Sequence, residues 1–327
     1  MKKFVYVLVS CSTDIYFEQC LLSLHSLRLY HPTAEVIVLI DDRTEASLQG
    51  WRRQLYIYTS TIKVIPCPKE YSPKERSRFL KTTIRENIDG TFLFIDCDTI
   101  IAEPLDSIEE ISADIAMVPD THVIYKQYPF YDYMNDLLRQ LYDTDVSNDE
   151  YYFNSGVMYV KDTPLAHRFF KAWHERWEES RKKGICTDQQ ALFKVNHDMG
   201  NVIEQLPGCY NCQIGLSVQY LCDAKIMHYF NAQMVSKSDM SPFFTKELYL
   251  SVKENEQITE DLDRMIRNVK SQFSSPSMLI GSNELGFLMS ATGKCAIDEY
   301  INQGKTYKFV SFVLKLRRKL RMLNLLK

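Results

Sequence analysis

Short apolar runs alternate with amphipathic segments over the first third of the chain. The runs Phe4–Val9, Val36–Ile40 and Ile62–Ile65 are rich in β-branched and aromatic residues, which predicts buried strands. Between the first two runs, the apolar residues of Phe17–Tyr30 recur at helical spacing. This alternation of strands and helices predicts right-handed crossovers and a mostly parallel sheet. Ligands of such sheets bind beyond the carboxyl ends of the strands.

The same patterns continue through the middle of the chain. They predict, in order, a helix at Lys74–Asn87, strands at Phe92–Ile95, Ile115–Val118 and Phe153–Val160, a helix at Leu165–Trp177 and a last strand at Lys225–Phe230. Thr187–Gln190 is predicted to cap and open a further helix. We therefore expect an α/β fold over residues 1–240 and a mainly helical extension over 241–306 that packs against it.

Two carboxylates directly follow the buried strand Phe92–Ile95. Asp96 and Asp98 are separated by one residue, and alternate residues of an extended chain point to the same side. Like charges at the end of a buried strand are costly unless a cation offsets them. Hard oxygen ligands suit Mg²⁺ or Mn²⁺. The motif therefore predicts a site for a metal and a diphosphate.

Two other interpretations of these carboxylates remain open. An Asp at a strand end is often only a turn former or a helix cap. A phosphohydrolase with Asp96 as nucleophile also begins with Asp-x-Asp after an apolar strand. That chemistry usually has the motif near the chain start and a Thr two residues after the second Asp, where this chain has Ile100.

Polar residues also follow the first two strands. Ser10–Asp14 forms a polar turn after the first strand, and Asp41 and Asp42 follow the second. Because the carboxyl ends of parallel strands lie at one edge, we expect these residues to share a crevice with Asp96 and Asp98. The chain contains no Gly-rich phosphate loop of the dinucleotide or ATP type.

Composition excludes some classes of partner and compartment. A formal net charge of −3 gives no general indication of nucleic-acid binding. Nine scattered cysteines favour reduced thiols in a cytosolic compartment. The apolar run in Met1–Val9 is too short for a signal peptide, and we find no run of about 20 apolar residues that would span a membrane. We expect a cytoplasmic protein.

Tyrosines are concentrated between Asp120 and Phe153. The segment includes Tyr125, Tyr128, Tyr131, Tyr133, Tyr142, Tyr151 and Tyr152. Core packing is one interpretation of this enrichment, and a lid or a wall of an acceptor site is the other.

The last 21 residues, 307–327, have a different character from the rest of the chain. One helical face carries apolar residues and the other carries polar and basic ones. The apolar positions are Phe309, Phe312, Val313, Leu316, Leu320 and Leu323, and the opposite positions are Ser311, Lys315, Arg318 and Lys319. A basic amphipathic helix of this kind is attracted to an anionic bilayer surface. The alternatives are docking onto its own domain or onto a second subunit, which would make a homodimer.

Four short motifs follow one another in a recognisable order. They are IDCD at Ile95–Asp98, FNSGV at Phe153–Val157, TDQQAL at Thr187–Leu192 and MHYF at Met227–Phe230. With them, residues 2–235 resemble the GT-A glycosyltransferases, and most closely family 8, the group of glycogenin and the bacterial lipopolysaccharide galactosyl- and glucosyltransferases. The resemblance implies a Rossmann-like GT-A sheet and a nucleotide-sugar enzyme. It also implies a UDP-sugar donor, Mn²⁺ or Mg²⁺ as cofactor, and transfer with retention.

The resemblance also implies roles for individual residues. Asp96 and Asp98 would ligate the metal, and His228 would be the third protein ligand. In these enzymes a Gly and then a Lys that reaches the diphosphate usually follow the His. This chain has Asn231 at the place of the Gly, and Lys237 would be the substitute for the Lys.

Further roles concern the nucleotide and the sugar. By resemblance, the turn residues Cys11, Thr13 and Asp14 would hold the base, and Arg78 would lie beside the donor. The sugar pocket would contain three residues that act in catalysis: Asn154, Asp188 and Gln189. From the sequence itself, Asn154, Ser155 and Gly156 carry small and amide groups that let a ligand approach the backbone. We expect Ser155 to take part in binding the nucleotide sugar.

We therefore expect a glycosyltransferase that transfers a sugar from a nucleotide-sugar donor to a saccharide or a lipid-linked glycan. The basic C-terminal helix would bind the protein peripherally to the inner membrane surface, and we expect no nucleic-acid partner. The alternatives are a non-catalytic nucleotide-sugar-binding or membrane scaffold protein and an Asp-based phosphohydrolase.

Overall fold

A seven-stranded mixed sheet forms the centre of the computed structural model, which describes residues 3–230, 240–273 and 282–322. A second sheet has two strands, β5 and β9. In chain order the strands are β1 (Lys3–Leu8), β2 (Glu35–Ile40), β3 (Thr61–Val64), β4 (Phe92–Ile95), β5 (Thr99–Ile101), β6 (Ile115–Pro119), β7 (Phe153–Val160), β8 (Glu204–Gln205) and β9 (Ile226–His228).

The order of strands in the main sheet is β3-β2-β1-β4-β7-β6-β8. The first four are parallel to one another, and β6 is parallel to β8. Strand β7 runs antiparallel to both of its neighbours. The predicted mostly parallel α/β sheet is therefore confirmed. Because β7 is reversed, its first residues lie beside the carboxyl end of β4, where the amide of Asp96 donates to the carbonyl of Gly156 at 2.8 Å.

Thirteen α-helices lie in the described part of the chain. They are α1 (Tyr16–Tyr30), α2 (Asp42–Ser47), α3 (Leu55–Tyr58), α4 (Pro73–Thr82), α5 (Ile84–Asn87), α6 (Tyr131–Tyr142), α7 (Pro164–Lys182), α8 (Gln189–Asp198), α9 (Lys246–Asn255), α10 (Glu260–Arg267), α11 (Ser282–Met289), α12 (Ala291–Ile301) and α13 (Lys305–Met322). The helix predicted at Lys74–Asn87 is divided, because Thr83 separates α4 from α5.

Helix α4 begins with a capping box. Ser72 accepts from the amide of Glu75, the Glu75 carboxylate accepts from the amide of Ser72, and Pro73 stands at the first helical position. Within α4, Arg78 and Lys81 are three residues apart and lie on one face of the helix.

Both faces of the sheet are covered. Along β1, Phe4, Tyr6 and Leu8 belong to one hydrophobic cluster, and Val5 and Val7 belong to another. Since successive side chains of a strand point to opposite faces, this alternation places a core on each side of the sheet. Helices α7 and α8 contribute to the second core, and α1 contributes to the first.

Residues 240–273 pack on α1 and share the first core. Phe243 and Tyr249 are buried in the same cluster as the apolar side of α1. Two polar contacts add to this packing: the Nζ of Lys253 donates to the carbonyl of Asp14 at 2.8 Å, and the Nε2 of His25 lies 2.7 Å from the Oδ1 of Asp263. The start of the C-terminal extension therefore supports the turn that follows β1.

Most of the tyrosine-rich segment is part of a hydrophobic core. Tyr125, Tyr128 and Tyr152 are buried together with Phe193 of α8. Tyr133, in contrast, is 61% exposed. Core packing is thus the role of the buried tyrosines.

Helix α13 has an uncovered apolar side. Phe309 is 67% exposed and Phe312 is 63% exposed, and Val313 and Leu316 are exposed as well. Among the described helices, none combines the length and the apolar content that a membrane span requires. Leu323 lies outside the described residues.

Candidate active site

Two aspartates and a histidine meet at the carboxyl end of β4. The ligand atoms of Asp96, Asp98 and His228 all lie within 4.8 Å of one another. The histidine is far away in sequence, but β5 and β9 pair antiparallel with Thr99 opposite His228. As a result, the Nε2 of His228 lies 3.2 Å from the Oδ1 of Asp98.

This donor set fits a divalent metal ion. Two carboxylates and one imidazole are ligands that Mn²⁺ accepts, and the carboxylate oxygens also suit Mg²⁺. Asp96 and Asp98 are partly exposed, whereas His228 is buried. A ligand that approaches from solvent therefore meets the carboxylates first.

Lys81 partly neutralises the first aspartate. Its Nζ lies 3.1 Å from both carboxylate oxygens of Asp96, and the lysine side chain is only 3% exposed. Burial raises the pKa of Asp96, the charge of Lys81 opposes this rise, and the neighbouring charge of Asp98 adds to it. The Lys81 ammonium is thus a fixed counter-charge inside the site.

Asp188 forms a second anionic centre beside the first. Its carboxylate lies 2.8 Å from the Nε of Arg78 and 3.9 Å from the Nζ of Lys81, and it accepts from the Oγ of Ser155 at 3.1 Å. Burial alone would raise the pKa of Asp188, but the charges of Arg78 and Lys81 outweigh burial and lower it. Asp188 is therefore an ionised carboxylate in a water-poor position.

The side chain of Asp188 does not cap helix α8, because it makes other contacts. It occupies the N-cap position of α8, as its sequence context predicts, but its side chain makes no capping hydrogen bond. Its carboxylate is directed instead to Arg78 and Ser155. The indole of Trp173 donates to the carbonyl of Asp188 at 3.0 Å and fixes the backbone there.

Asp120 is a further candidate site residue, which the sequence patterns did not single out. One of its oxygens accepts from Asn154 at 3.0 Å, and the other accepts from Gln189 at 3.2 Å and from Tyr128 at 3.1 Å. Asp120 follows β6 directly, just as Asp96 follows β4. That shared position after a buried strand could have identified it.

Gly156 allows the histidine to approach β7. A Cβ atom at Gly156 would lie 2.2 Å from the Cε1 of His228, which is far inside van der Waals contact. Phe230 stacks with His228 at a centroid distance of 3.9 Å. The imidazole is thus held between Phe230 and the backbone of β7.

The turn after β1 is ordered by its own aspartate. The Asp14 carboxylate accepts from the Oγ of Ser10 at 2.6 Å and from the amides of Cys11 and Tyr16 at 2.8 and 3.1 Å. Cys11 and Thr13 are exposed, and the Cys11 Sγ lies 3.1 Å from the Thr13 Oγ1. The turn thus presents Cys11 and Thr13 to solvent, while Asp14 shapes it.

Asp41 has a structural role instead of contributing charge to the crevice. It is fully buried, and its carboxylate contacts the guanidinium of Arg76 and the hydroxyl of Thr44. It also caps α2 by accepting from the amide of Thr44 at 3.1 Å. Asp42 is exposed in the first turn of that helix. Asn231 and Lys237 lie outside the described residues.

All nine cysteines lie in the described part of the chain, and all are free thiols. Cys97, between the two aspartates of the motif, donates its thiol to the carbonyl of Val7 at 3.2 Å. This contact ties the Asp-x-Asp turn to β1.

The family of the chain follows from its sequence. Residues 73–255, more than half of the 327, match the nucleotide-diphospho-sugar transferase family, and the chain belongs to that family. The matched region runs from α4 to α9 and contains the aspartates, Asp188 and His228. A comparison with the sequences of curated proteins gives no match.

Solved structures show the fold. The galactosyltransferase LgtC, in complex with donor and acceptor sugar analogues, is 14% identical, with a TM-score of 0.50 over 80% of this chain and 99% of its own. The bifunctional glycosyltransferase WbbM is also 14% identical, with a TM-score of 0.51 over 80% of this chain and 50% of its own. Mouse xyloside xylosyltransferase 1 is 12% identical, with a TM-score of 0.47 over 70% of this chain and 97% of its own. The fold is that of the GT-A glycosyltransferases, as the sequence motifs predicted.

Proposed function

We propose that this protein is a metal-dependent glycosyltransferase that transfers a sugar from a UDP-sugar to a glycan or a lipid-linked acceptor, with retention. The observation that carries the proposal is the convergence of Asp96, Asp98 and His228 within 4.8 Å of one another. Asp188 lies beside them, since Lys81 contacts the carboxylates of both Asp96 and Asp188. Membership of the nucleotide-diphospho-sugar transferase family supports the choice of donor class.

Asp96, Asp98 and His228 would hold Mn²⁺ or Mg²⁺. When bound, the ion supplies positive charge to the diphosphate on which negative charge develops as the sugar leaves. The protein adds Lys81 and Arg78, two cations that are already fixed in the site by Asp96 and Asp188. Because these groups are preorganised, little reorganisation is needed during the reaction.

Asp188 and Gln189 would act on the sugar itself. As the bond to the diphosphate lengthens, positive charge develops on the anomeric carbon, and the ionised Asp188 is suited to stabilise it. Gln189 is held by Asp120 and by the carbonyl of Phe153 at 3.2 and 3.0 Å. Asn154, held by the same Asp120, would complete the sugar pocket at the start of β7.

The turn after β1 would hold the base, through Cys11, Thr13 and the Asp14 loop. Ser155 would border the donor, since its hydroxyl already contacts Asp188. The acceptor's hydroxyl would enter on the face from which the diphosphate leaves, where the leaving group can take its proton. The complex of LgtC with donor and acceptor sugar analogues supports the use of this fold for such a reaction.

The C-terminal helix would bring the enzyme to an anionic membrane surface at the cytoplasmic side. Its exposed apolar residues and its basic residues support this role, because apolar burial and attraction to anionic lipids add to each other. A lipid-linked acceptor would then lie in the plane to which the enzyme binds.

Hydrolysis of a panel of nucleotide sugars tests the proposal. We expect release of UDP from at least one UDP-sugar in the presence of Mn²⁺, and none after addition of EDTA. GDP- and CMP-sugars are the matched controls for the base. Hydrolysis that is equally fast in EDTA would contradict the metal requirement, and hydrolysis of none of the panel would contradict the activity.

A further inference from the structure

A chain of side-chain hydrogen bonds leads from β7 to the buried face of His228. Its central member is Asn211, the last residue of a short 3-10 turn, Gly208–Asn211, with 0% of its surface exposed. The Nδ2 of Asn211 donates to the Oδ1 of Asn154 at 2.9 Å. The Oδ1 of Asn211 lies 2.9 Å from the Nδ1 of His228.

The direction of each bond follows from one fixed donor. The backbone amide of Gly156 can only donate, so the Asn154 atom that faces it at 2.9 Å is the carbonyl oxygen. The amide nitrogen of Asn154 then donates to the Asp120 carboxylate at 3.0 Å, and a carboxylate is an acceptor. The amide orientation of Asn154 is therefore consistent at both ends.

The same argument continues to the imidazole. The oxygen of Asn154 needs a donor from Asn211, which is its amide nitrogen. The remaining atom of the Asn211 amide is an oxygen, and it can only accept from the Nδ1–H of His228. A neutral imidazole protonated on Nδ1 carries its lone pair on Nε2, the atom that lies 3.2 Å from Asp98.

We propose that Asn211 is a positioning residue that holds His228 in the Nδ1–H tautomer and so directs the Nε2 lone pair to the metal side of the site. Without this acceptor, the Asp98 carboxylate would favour the opposite tautomer, since it attracts a proton on Nε2. The partner on the second ring nitrogen commonly sets the tautomer of a metal-binding histidine. Phe230 and Gly156 restrict the ring plane, but neither can select a tautomer, because neither offers a side-chain acceptor to the ring.

The tautomer can be measured without metal, substrate or turnover. Long-range ¹H–¹⁵N correlation spectra of metal-free protein labelled with ¹⁵N-histidine, recorded at pH 8, distinguish Nδ1–H from Nε2–H. The signals of His228 are assigned by their loss in His228→Gln. We expect the Nδ1–H tautomer. A neutral ring that carries its proton on Nε2 would overturn the proposal.

Asn211→Leu removes both hydrogen bonds at similar volume. We expect Nε2–H to become populated, and the dissociation constant of Mn²⁺ alone, measured by electron paramagnetic resonance, to rise about 10- to 100-fold. The matched control is Asn196→Leu, which removes another buried amide whose bonds go to Asn201 and to the amide of Ile203. An unchanged tautomer and an unchanged Mn²⁺ affinity in Asn211→Leu would overturn the proposal.

Asn211→Asp serves if the leucine variant does not fold. A carboxylate at this position keeps the acceptor for Nδ1–H, so we expect the Nδ1–H tautomer to be retained. Its loss in a folded Asn211→Asp protein would count against the proposal.

The inference depends on the proposed function only for the metal role of His228, and the two fail differently. An Nδ1–H tautomer in a protein that does not bind Mn²⁺ would support the role of Asn211 and contradict the metal-dependent transferase. An Nε2–H tautomer in a protein that binds Mn²⁺ and transfers sugar would overturn the role of Asn211 alone.

Discussion

At the scale of single residues, charges and close contacts define the candidate site. Asp96 and Asp188 are both held by Lys81, at 3.1 and 3.9 Å, so two carboxylates share one buried ammonium. Removing one partner of such a group leaves a buried charge uncompensated. The loss of folding free energy is then larger than the stabilisation that the intact pair contributes. Residues of this kind affect both the fold and the chemistry when they are replaced.

Asp98 offers a test of the metal role, because its carboxylate contacts His228, the histidine of the cluster, whereas Asp96 is the aspartate that Lys81 holds. We predict that Asp98→Asn abolishes Mn²⁺-dependent transfer and leaves the fold intact. The amide has nearly the same shape but no charge for the cation. Turnover and circular dichroism are the measurements, and Asp42→Asn, an exposed aspartate after β2, is the control. Undiminished turnover of Asp98→Asn in Mn²⁺ would rule out the metal role.

Position 156 requires a glycine because a Cβ atom there would collide with His228, and not because of its backbone conformation. We predict that Gly156→Ala displaces the His228 ring, because the new Cβ would lie 2.2 Å from its Cε1. The expected result is a loss of Mn²⁺ affinity of about tenfold or more, comparable to removal of a partner that orients a ligand. Isothermal titration with Mn²⁺ measures it.

The control for this substitution is Gly286→Ala, since nothing lies within 4 Å of a Cβ at Gly286. We expect that control to bind Mn²⁺ as the unchanged protein does. An unaltered affinity in Gly156→Ala would show that the ring can move without loss of the ligand.

At the scale of elements, the direction of a strand decides which residues reach the site. Strand β7 is antiparallel, so Asn154, Ser155 and Gly156 at its start lie beside the end of β4. A parallel β7 would have brought its last residues, near Val160, to that edge. Helix α4 contributes Arg78 and Lys81 from one face, and its capping box fixes where the helix starts and therefore which residues face the site.

Helix α13 carries the prediction for membrane binding. We expect the full chain to float with vesicles that contain anionic lipid and a chain that lacks residues 307–327 not to float. Each basic residue near an anionic surface contributes about 1 kcal/mol, so flotation should weaken as salt is raised. Vesicle flotation in low and high salt is the measurement.

Two exposed phenylalanines give a sharper variant of this experiment. Phe309→Ser with Phe312→Ser removes apolar contacts but keeps every charge, and we expect it to float less. Equal flotation of the full and truncated chains would contradict the membrane-binding role of residues 307–327. A concentration-dependent dimer that the truncation abolishes, seen by sedimentation, would favour the second-subunit alternative.

At the scale of the whole molecule, one buried and two partly buried histidines connect stability to pH. Burial lowers the pKa of His31 and His174, and it lowers the pKa of His122 to about 4. In the unfolded chain a histidine has a pKa near 6.5, whereas the pKa of each of these histidines is lower in the folded protein. Between the two pKa values the unfolded state therefore binds more protons than the folded state does. For His122, this contribution to stability is therefore present above about pH 6.5 and is lost as the pH falls towards 4.

His122 is the residue with which to test this dependence. We predict that the difference in unfolding free energy between the unchanged protein and His122→Gln shrinks from pH 7 to pH 4.5, by at most about 3 kcal/mol. Urea denaturation at several pH values measures it. A difference that is constant with pH would show that His122 does not titrate in this way.

Local sequence patterns predicted much of the fold but only part of the site. The alternation of apolar runs located β1, β2, β4 and β7 to within a residue or so, because strand periodicity depends on neighbours in sequence. The division of the helix at Thr83 was missed, since no Gly or Pro marks it. Asp120 was missed because an acid after a strand has many ordinary roles, and only its contacts with Asn154 and Gln189 distinguish it.

By itself, the sequence determined the elements and the order of the motifs, including the strand that ends in Asp96 and Asp98. The family resemblance named His228 as a companion of the two aspartates, but only the tertiary structure showed how they meet. Strand β9 pairs with β5 and places His228 beside Asp98, and Asn211 comes to lie against the other ring nitrogen. The physical reason is that the spacing of apolar residues along a segment depends on which side of that segment is buried. The partners of a buried polar atom, in contrast, are fixed by contacts between different segments, whether 17 residues apart in sequence, as Asn211 and His228 are, or 130 apart, as Asp98 and His228 are.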